Sequence, residues 1–143
     1  MAHAEASIVI ARPPLEVYAF LADGTNNMRW RSGVTSIELR SGRAGELDAV
    51  YAQTLTGPGG RRIAGDYRIT SAVPGTELRF AVIAGPARPE GAYLLTPDGD
   101  GTRVTFSLSL TPTGLMKLMG RTIQKTMDAE VAQLPKLKAA LES

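Results

Sequence analysis

Histidine, cysteine and paired carboxylates carry most enzymatic chemistry, and this chain offers few of them. Its only histidine is His3, and it has no cysteine. His3-Ala4-Glu5 has the His-x-Glu form of zinc deaminases, but the cysteine ligands that complete such a site do not exist here. Disulfide frameworks and thiol catalysis fall with them. His3 is read as part of a frayed terminus, which leaves no Ser-His-acid triad and no cluster of histidines and carboxylates for a metal. Gly57-Pro58-Gly59-Gly60 lacks the Gly-Lys-Ser/Thr continuation of a phosphate loop. Asp98 and Asp100 have no properly spaced calcium ligands after them. Both stretches are read as hairpin turns. The pairs Glu46/Asp48 and Asp128/Glu130 are read as solvated. No metal and no cofactor is expected.

Phenols, guanidiniums and soft apolar side chains remain. Tyr67 and Tyr93 fall on the inward faces of strand-like runs. A phenol there can hold a polar ligand atom or act as an acid, which makes Tyr67 the candidate catalytic group. The plainer reading is a core tyrosine bonded to a backbone carbonyl. Phe80 and Phe106 face inward in the same way. Trp30 either lines a cavity mouth or anchors a short helix. Arg29, Arg31 and Arg88 either reach a ligand carboxylate or lie on the surface. Met116, Met119 and Met127, with Ile123 between them, form a stripe at helical spacing. Methionine adapts to pliable apolar ligands, although core packing is its commoner role.

The elements that must position these residues follow from period and punctuation. Residues 6–11 form a β-branched strand, stopped by Pro13-Pro14. A short helix follows, with Val17, Phe20 and Leu21 on one face, and Asp23-Gly24 ends it. A second short helix is expected at 25–30. Six strand-like runs come next: 34–40, 48–55, 62–73, 77–84, 88–96 and 102–110. Gly57 to Gly60, Pro74-Gly75 and Asp98 to Gly101 supply turns between them. The last run is the clearest, with Val104, Phe106, Leu108 and Leu110 alternating against Thr105, Ser107 and Ser109. The chain closes with a long helix over 114–141, Thr113 as its N-cap, and an apolar stripe from Met116 to Leu141. Pro135 should kink or split it.

This order predicts one α+β domain over residues 1–143. A seven-stranded curved antiparallel sheet wraps a long C-terminal helix, with two short helices after the first strand. A twisted sheet curls, and a helix laid across it leaves a concavity that fills only in part. An internal cavity for a hydrophobic small molecule is therefore expected, with few polar groups in it.

The residues also carry a resemblance. Ile8 to Tyr18 (IVIARPPLEVY), then Phe20-Leu21-Ala22-Asp23, Trp30, Gly101-Thr102-Arg103-Val104 and the closing Leu137 to Glu142 resemble START-like domains of the SRPBCC superfamily. The branch most similar is the polyketide cyclase/dehydrase-like group. The likeness covers nearly the whole chain. It implies a helix-grip fold with a deep hydrophobic cavity, in proteins that bind lipids, polyketides, sterols or hormones, some of them aromatase/cyclases.

Two readings of function follow. One is a binding domain for a hydrophobic or polycyclic ligand, held by Trp30, Tyr67, Phe80, Tyr93, Phe106, Met116, Met119, Ile123 and Met127. The other is a polyketide cyclase or aromatase using the same cavity, in which Tyr67 or an arginine polarises a carbonyl. Against the second stands the lack of an inward acid–base pair. A chaperone-cofactor role would need a large exposed apolar patch, of which the strand alternation gives no sign. A cone-shaped isomerase-like fold would begin with helices, and this chain begins with a strand. Net charge is only +2, and twelve arginines and four lysines are scattered, which argues against nucleic acid. No run is long and apolar enough to span a bilayer, and the N-terminus lacks a signal-peptide pattern, so a cytoplasmic protein is expected. Oligomeric state leaves no mark on the sequence.

Overall fold

The computed structural model describes residues 2–143. Strand β1 (Ala2–Ile10) is followed by helix α1 (Pro14–Ala22) and a 3-10 helix (Gly24–Arg29). Then come β2 (Val34–Ser41), β3 (Val50–Thr56), β4 (Arg62–Ala64), β5 (Tyr67–Val73), β6 (Glu77–Val82), β7 (Glu90–Asp98) and β8 (Gly101–Leu110). A 3-10 helix (Gly114–Met119) leads into α2 (Gly120–Val131) and α3 (Leu134–Glu142). All pairings are antiparallel, in the order β1-β8-β7-β6-β5-β3-β2, with β4 beside β3. This is an open sheet with a bent C-terminal helix, the expected helix-grip arrangement. Among the described residues no helix is long and apolar enough to cross a membrane.

The run expected as one strand over 62–73 is broken at Gly65-Asp66, which raises seven strands to eight. Thr54 faces Ala64 and Tyr51 faces Tyr67, so both pieces keep one register against β3. Between them the Gln53 backbone N–H donates to the Asp66 carboxylate at 3.2 Å instead of to a strand carbonyl. A side-chain acceptor has replaced a ladder bond there. Pro74-Gly75 turns as expected: Gly75 takes φ +75°, and Thr76 N–H donates to Val73 O at 3.0 Å.

Strand β1 starts earlier than its composition indicates, which corrects the frayed reading of His3. His3 pairs with Ser109, and its Nδ1 lies 2.9 Å from Ser109 Oγ. Gln124 Nε2 donates to His3 O at 2.7 Å, while His3 N–H donates to Gln124 Oε1 at 3.3 Å. Lys138 Nζ donates to Val9 O at 2.9 Å, and Ala11 N–H donates to Glu142 at 2.7 Å. Side chains of α2 and α3 thus occupy free backbone groups of an edge strand, which otherwise offers a template for another chain.

The C-terminal helix is three pieces, not one. Pro135 sits in the first turn of α3, where its missing N–H leaves no bond unmade. Thr113 has the extended backbone of an N-cap, but its side chain makes no capping bond. The first turn is consequently 3-10, with Met116 N–H bonded to Thr113 O at 3.1 Å. Met127, Val131, Leu134 and Leu137 are buried against the sheet. Ile123 and Met116 are half-buried at its margin, and Met119 is half exposed.

Candidate functional site

The sheet's inner face carries a continuous aromatic row. Tyr51 on β3 stacks on Tyr67 of β5, centroids 5.3 Å apart. Tyr67 meets Phe80 of β6 at 5.4 Å, and Phe80 meets Tyr93 of β7 at 5.9 Å. Tyr93 stacks on Phe106 of β8 at 4.6 Å. The row exists because period-two alternation on each strand aims these rings at one face, and register aligns them: Tyr51 opposes Tyr67, and Tyr93 opposes Phe106. Gly91 opposes Phe80 across β6 and β7, where an added Cβ would run into the Phe80 ring. Trp30 lies edge-on to Tyr93 and Phe106, at 6.2 and 6.0 Å.

A polar cluster lies against this row. Asn27, in the first 3-10 helix, donates from Nδ2 to the Tyr67 hydroxyl at 3.1 Å and to Gln53 Oε1 at 3.2 Å. Gln53 Nε2 donates in turn to Gly65 O at 3.3 Å. Arg31 is 8% exposed and donates from Nη2 and Nε to Glu130 Oε2 on α2, at 2.8 and 3.1 Å. Its guanidinium also lies within reach of the Tyr93 hydroxyl and 6.0 Å from the Phe106 centroid. Burial works against the Arg31 charge, but the Glu130 carboxylate and the two phenols outweigh it and hold the group protonated. Burial pushes the Tyr93 phenol up to about 12, against the opposing pull of Arg31. Burial raises Tyr67 as well, partly countered by the Asn27 bond. Both phenols are neutral donors at neutral pH.

Arg31, Asn27, Tyr67, Tyr93, Phe80 and Leu78 border a void of about 10 Å³. That is about the space of one water. The concavity expected from the curl of the sheet is filled by side chains. Two buried polar atoms, Trp30 Nε1 and the Tyr18 hydroxyl, have no hydrogen-bond partner among the described residues.

The structure gathers Trp30, Tyr67, Phe80, Tyr93 and Phe106 around this cluster and buries Met127 in the same core. Met116 and Ile123 pack at the margin, and Met119 stands apart. Arg29 lies over the Phe20 ring at 5.0 Å, and Arg88 donates to Gly85 O at 3.3 Å; neither joins the cluster. Glu130 is not a solvated member of an acidic pair, since it partners Arg31 and is 21% exposed. Sequence reasoning missed Tyr51, Asn27 and Gln53. Gln53 had a signal: it shares the inward face with Tyr51, and a polar residue on a buried face needs a partner there. Asn27, in a short irregular helix, had none. His3 does lie beside a serine, with Glu5 3.8 Å from its Nε2, but on the outer face of the sheet, away from this cluster. Among the described residues no group of three His, Asp or Glu side chains is placed to hold a metal.

Comparison with known proteins gives the same fold. A family model described as polyketide cyclase / dehydrase and lipid transport matches residues 1–142. No curated protein matches the chain. Among solved structures, TTHA0849 from Thermus thermophilus superposes with a TM-score of 0.80 and 22% identity, over 97% of this chain and 96% of that one. Ara h 8.0201 gives 0.74 and 16%, over 97% and 96%. BexL, a di-domain ARO/CYC of the BE-7585A biosynthetic pathway, gives 0.72 and 18%, over 99% of this chain and 47% of that one. At these identities the likeness speaks to fold alone.

Proposed function

Because the chain belongs to the polyketide cyclase / dehydrase and lipid transport family, we propose that it binds a flat, largely apolar small molecule with an oxygen-bearing edge. The site is the aromatic row between the sheet and the C-terminal helices. The observation that carries this reading is the meeting of that row with a protonated Arg31, two neutral phenols and an unpartnered indole N–H. A buried donor without an acceptor costs about 1–3 kcal/mol. A carbonyl or phenolate oxygen of a ligand removes that cost at Trp30 Nε1. Accepting from Asn27 leaves the Tyr67 hydroxyl its own proton to donate. Rings of the ligand would stack among Phe80, Tyr93 and Phe106. Met127, Ile123 and Met116 would close the apolar side, and Met119 the outer margin.

A ligand of this size needs several hundred Å³. Binding therefore requires the void to open, and the Arg31–Glu130 ion pair is the tie that must loosen.

The second reading, a cyclase or aromatase, draws on the same donors. Arg31 and the Tyr67 phenol would hold hydrogen bonds to a carbonyl oxygen as it gains charge during enolisation. Holding a reactive chain folded against the aromatic row would supply much of the rest. Tyr67 would then donate, not abstract, because burial keeps it protonated.

Native mass spectrometry of the purified protein, with extraction of any bound compound, tests the binding reading. A hydroxylated polycyclic aromatic compound should raise the melting temperature of the native protein, and Trp30→Phe, which removes the indole N–H and keeps a smaller aromatic ring, should cut that rise. No rise with any such compound and no co-purifying molecule would reject the reading. On a substrate that is turned over, an unchanged product distribution in Tyr67→Phe would remove the catalytic role.

A further inference from the structure

The 3-10 helix Gly114–Met119 buries none of its residues. Leu115 is 83% exposed and Leu118 85%, and Met119 beside them is half exposed. In a 3-10 helix, residues three apart eclipse, so Leu115 and Leu118 share one edge. Behind the segment an open recess between Ala2, Pro112, Lys117 and Gln124 parts it from the sheet edge. Gly114, its first residue, takes φ +57°. Two leucines and a methionine standing together in water, with none of the other described residues burying them, form an apolar patch of the kind that marks a contact surface.

The charged residues within the segment itself are all of one sign, and the first acidic residue after it, Asp128, accepts from Gln124 at 2.9 Å. Lys117, Arg121 and Lys125 follow one another at four-residue spacing, and no Asp or Glu occurs between Asp100 and Asp128. We propose that residues 114–125 are a docking surface for an anionic lipid bilayer. Leu115, Leu118 and Met119 enter the acyl boundary, and the three cations meet the headgroup phosphates. Apolar area together with basic charge is the combination that holds a short segment on such a surface. A second copy of the chain is a poorer occupant. A two-fold contact through this patch sets each set of three cations against its own image. The exposed leucines and the three cations lie outside the aromatic row; of these side chains only Met119 is shared with the outer margin of the proposed ligand site, so the test is made at Leu115, Leu118 and the cations.

The test is co-sedimentation of the full chain with vesicles of phosphatidylcholine, with and without phosphatidylglycerol. Binding is expected only to vesicles containing phosphatidylglycerol, and it should weaken as salt rises. Leu115→Ser with Leu118→Ser should lower it by roughly tenfold or more. Lys117→Gln, Arg121→Gln and Lys125→Gln together should lower it by about a hundredfold, on the order of fivefold per charge. Both leucines are exposed, so their replacement should leave the melting temperature unchanged. Arg103→Gln, on the outer face of β8, should leave binding unchanged. No sedimentation of the wild type overturns the proposal, as does equal binding to neutral vesicles or an equal loss in Arg103→Gln. A dimer in plain buffer that Leu115→Ser with Leu118→Ser dissolves also overturns it, in favour of a contact between copies.

Discussion

Arg31 and Glu130, 99 residues apart, form a two-bond ion pair at 2.8 and 3.1 Å that ties the loop after the first 3-10 helix to α2. Ser32 reinforces it: its N–H donates to Gln133 Oε1 at 2.7 Å, where the C-terminal helix breaks. The pair closes the core over the aromatic row and supplies the only guanidinium in the cluster described above.

Breaking this pair from one side should be costly. Glu130→Gln leaves a buried, unpaired charge at Arg31, and a loss of about 2–4 kcal/mol is expected. Replacing both, Arg31→Met with Glu130→Leu, should recover most of it, because neither desolvated charge remains. Urea denaturation of the three variants checks this. A double variant no more stable than Glu130→Gln would contradict the desolvation argument.

Gly91→Ala should act on the aromatic row directly. The new Cβ meets the Phe80 ring, which has no free space to turn into beside Tyr67 and Tyr93. A stability loss of roughly 1–3 kcal/mol is expected, the ordinary cost of overpacking. Near-ultraviolet circular dichroism should change with it, since the tyrosine surroundings shift. A silent variant would mean that the row repacks freely.

Gln124→Ala should expose the β1 edge. Gln124 satisfies both backbone groups of His3, and alanine satisfies neither. Size-exclusion chromatography with light scattering should show concentration-dependent association that the wild type lacks. A variant that stays at the wild-type mass would assign edge protection to Lys138 and Glu142 instead.

The four tyrosines should resist ionisation in the folded protein. Burial raises each phenol above its usual 10.0, with Tyr93 at about 12. A group whose pKa is raised by folding adds stability below its unfolded pKa and loses it as pH rises. Tyrosinate absorbance should therefore appear only with alkaline unfolding. A titration step near pH 10 in protein that still shows native circular dichroism would contradict this.

Glu142 should mark the acid side. Its bonds from Ala11 N–H and Lys138 hold its carboxyl below the usual 4.5. Its contribution is then complete above 4.5 and lost as pH falls through the lower folded value. The melting-temperature difference between wild type and Glu142→Gln should be largest at neutral pH and vanish in strong acid. A difference that does not change with pH would make the role of Glu142 steric.

Alternation and punctuation determine most of this fold, because they are local. Period two along 102–110 aims Phe106 inward whatever surrounds it, and the same holds for Tyr67, Phe80 and Tyr93. Pro135 breaks a helix by removing a donor, which no tertiary contact restores. The aromatic half of the candidate site, Tyr51 apart, was therefore legible in the order of residues. Its polar half was not. Arginine and glutamate are surface residues by default, and nothing in the spacing of Arg31 and Glu130 announces that folding removes both from water together. The break at Gly65-Asp66 likewise depends on Asp66 accepting the Gln53 N–H from another strand. How full the concavity is depends on the summed volumes of rings from five strands, which only their packing against one another decides.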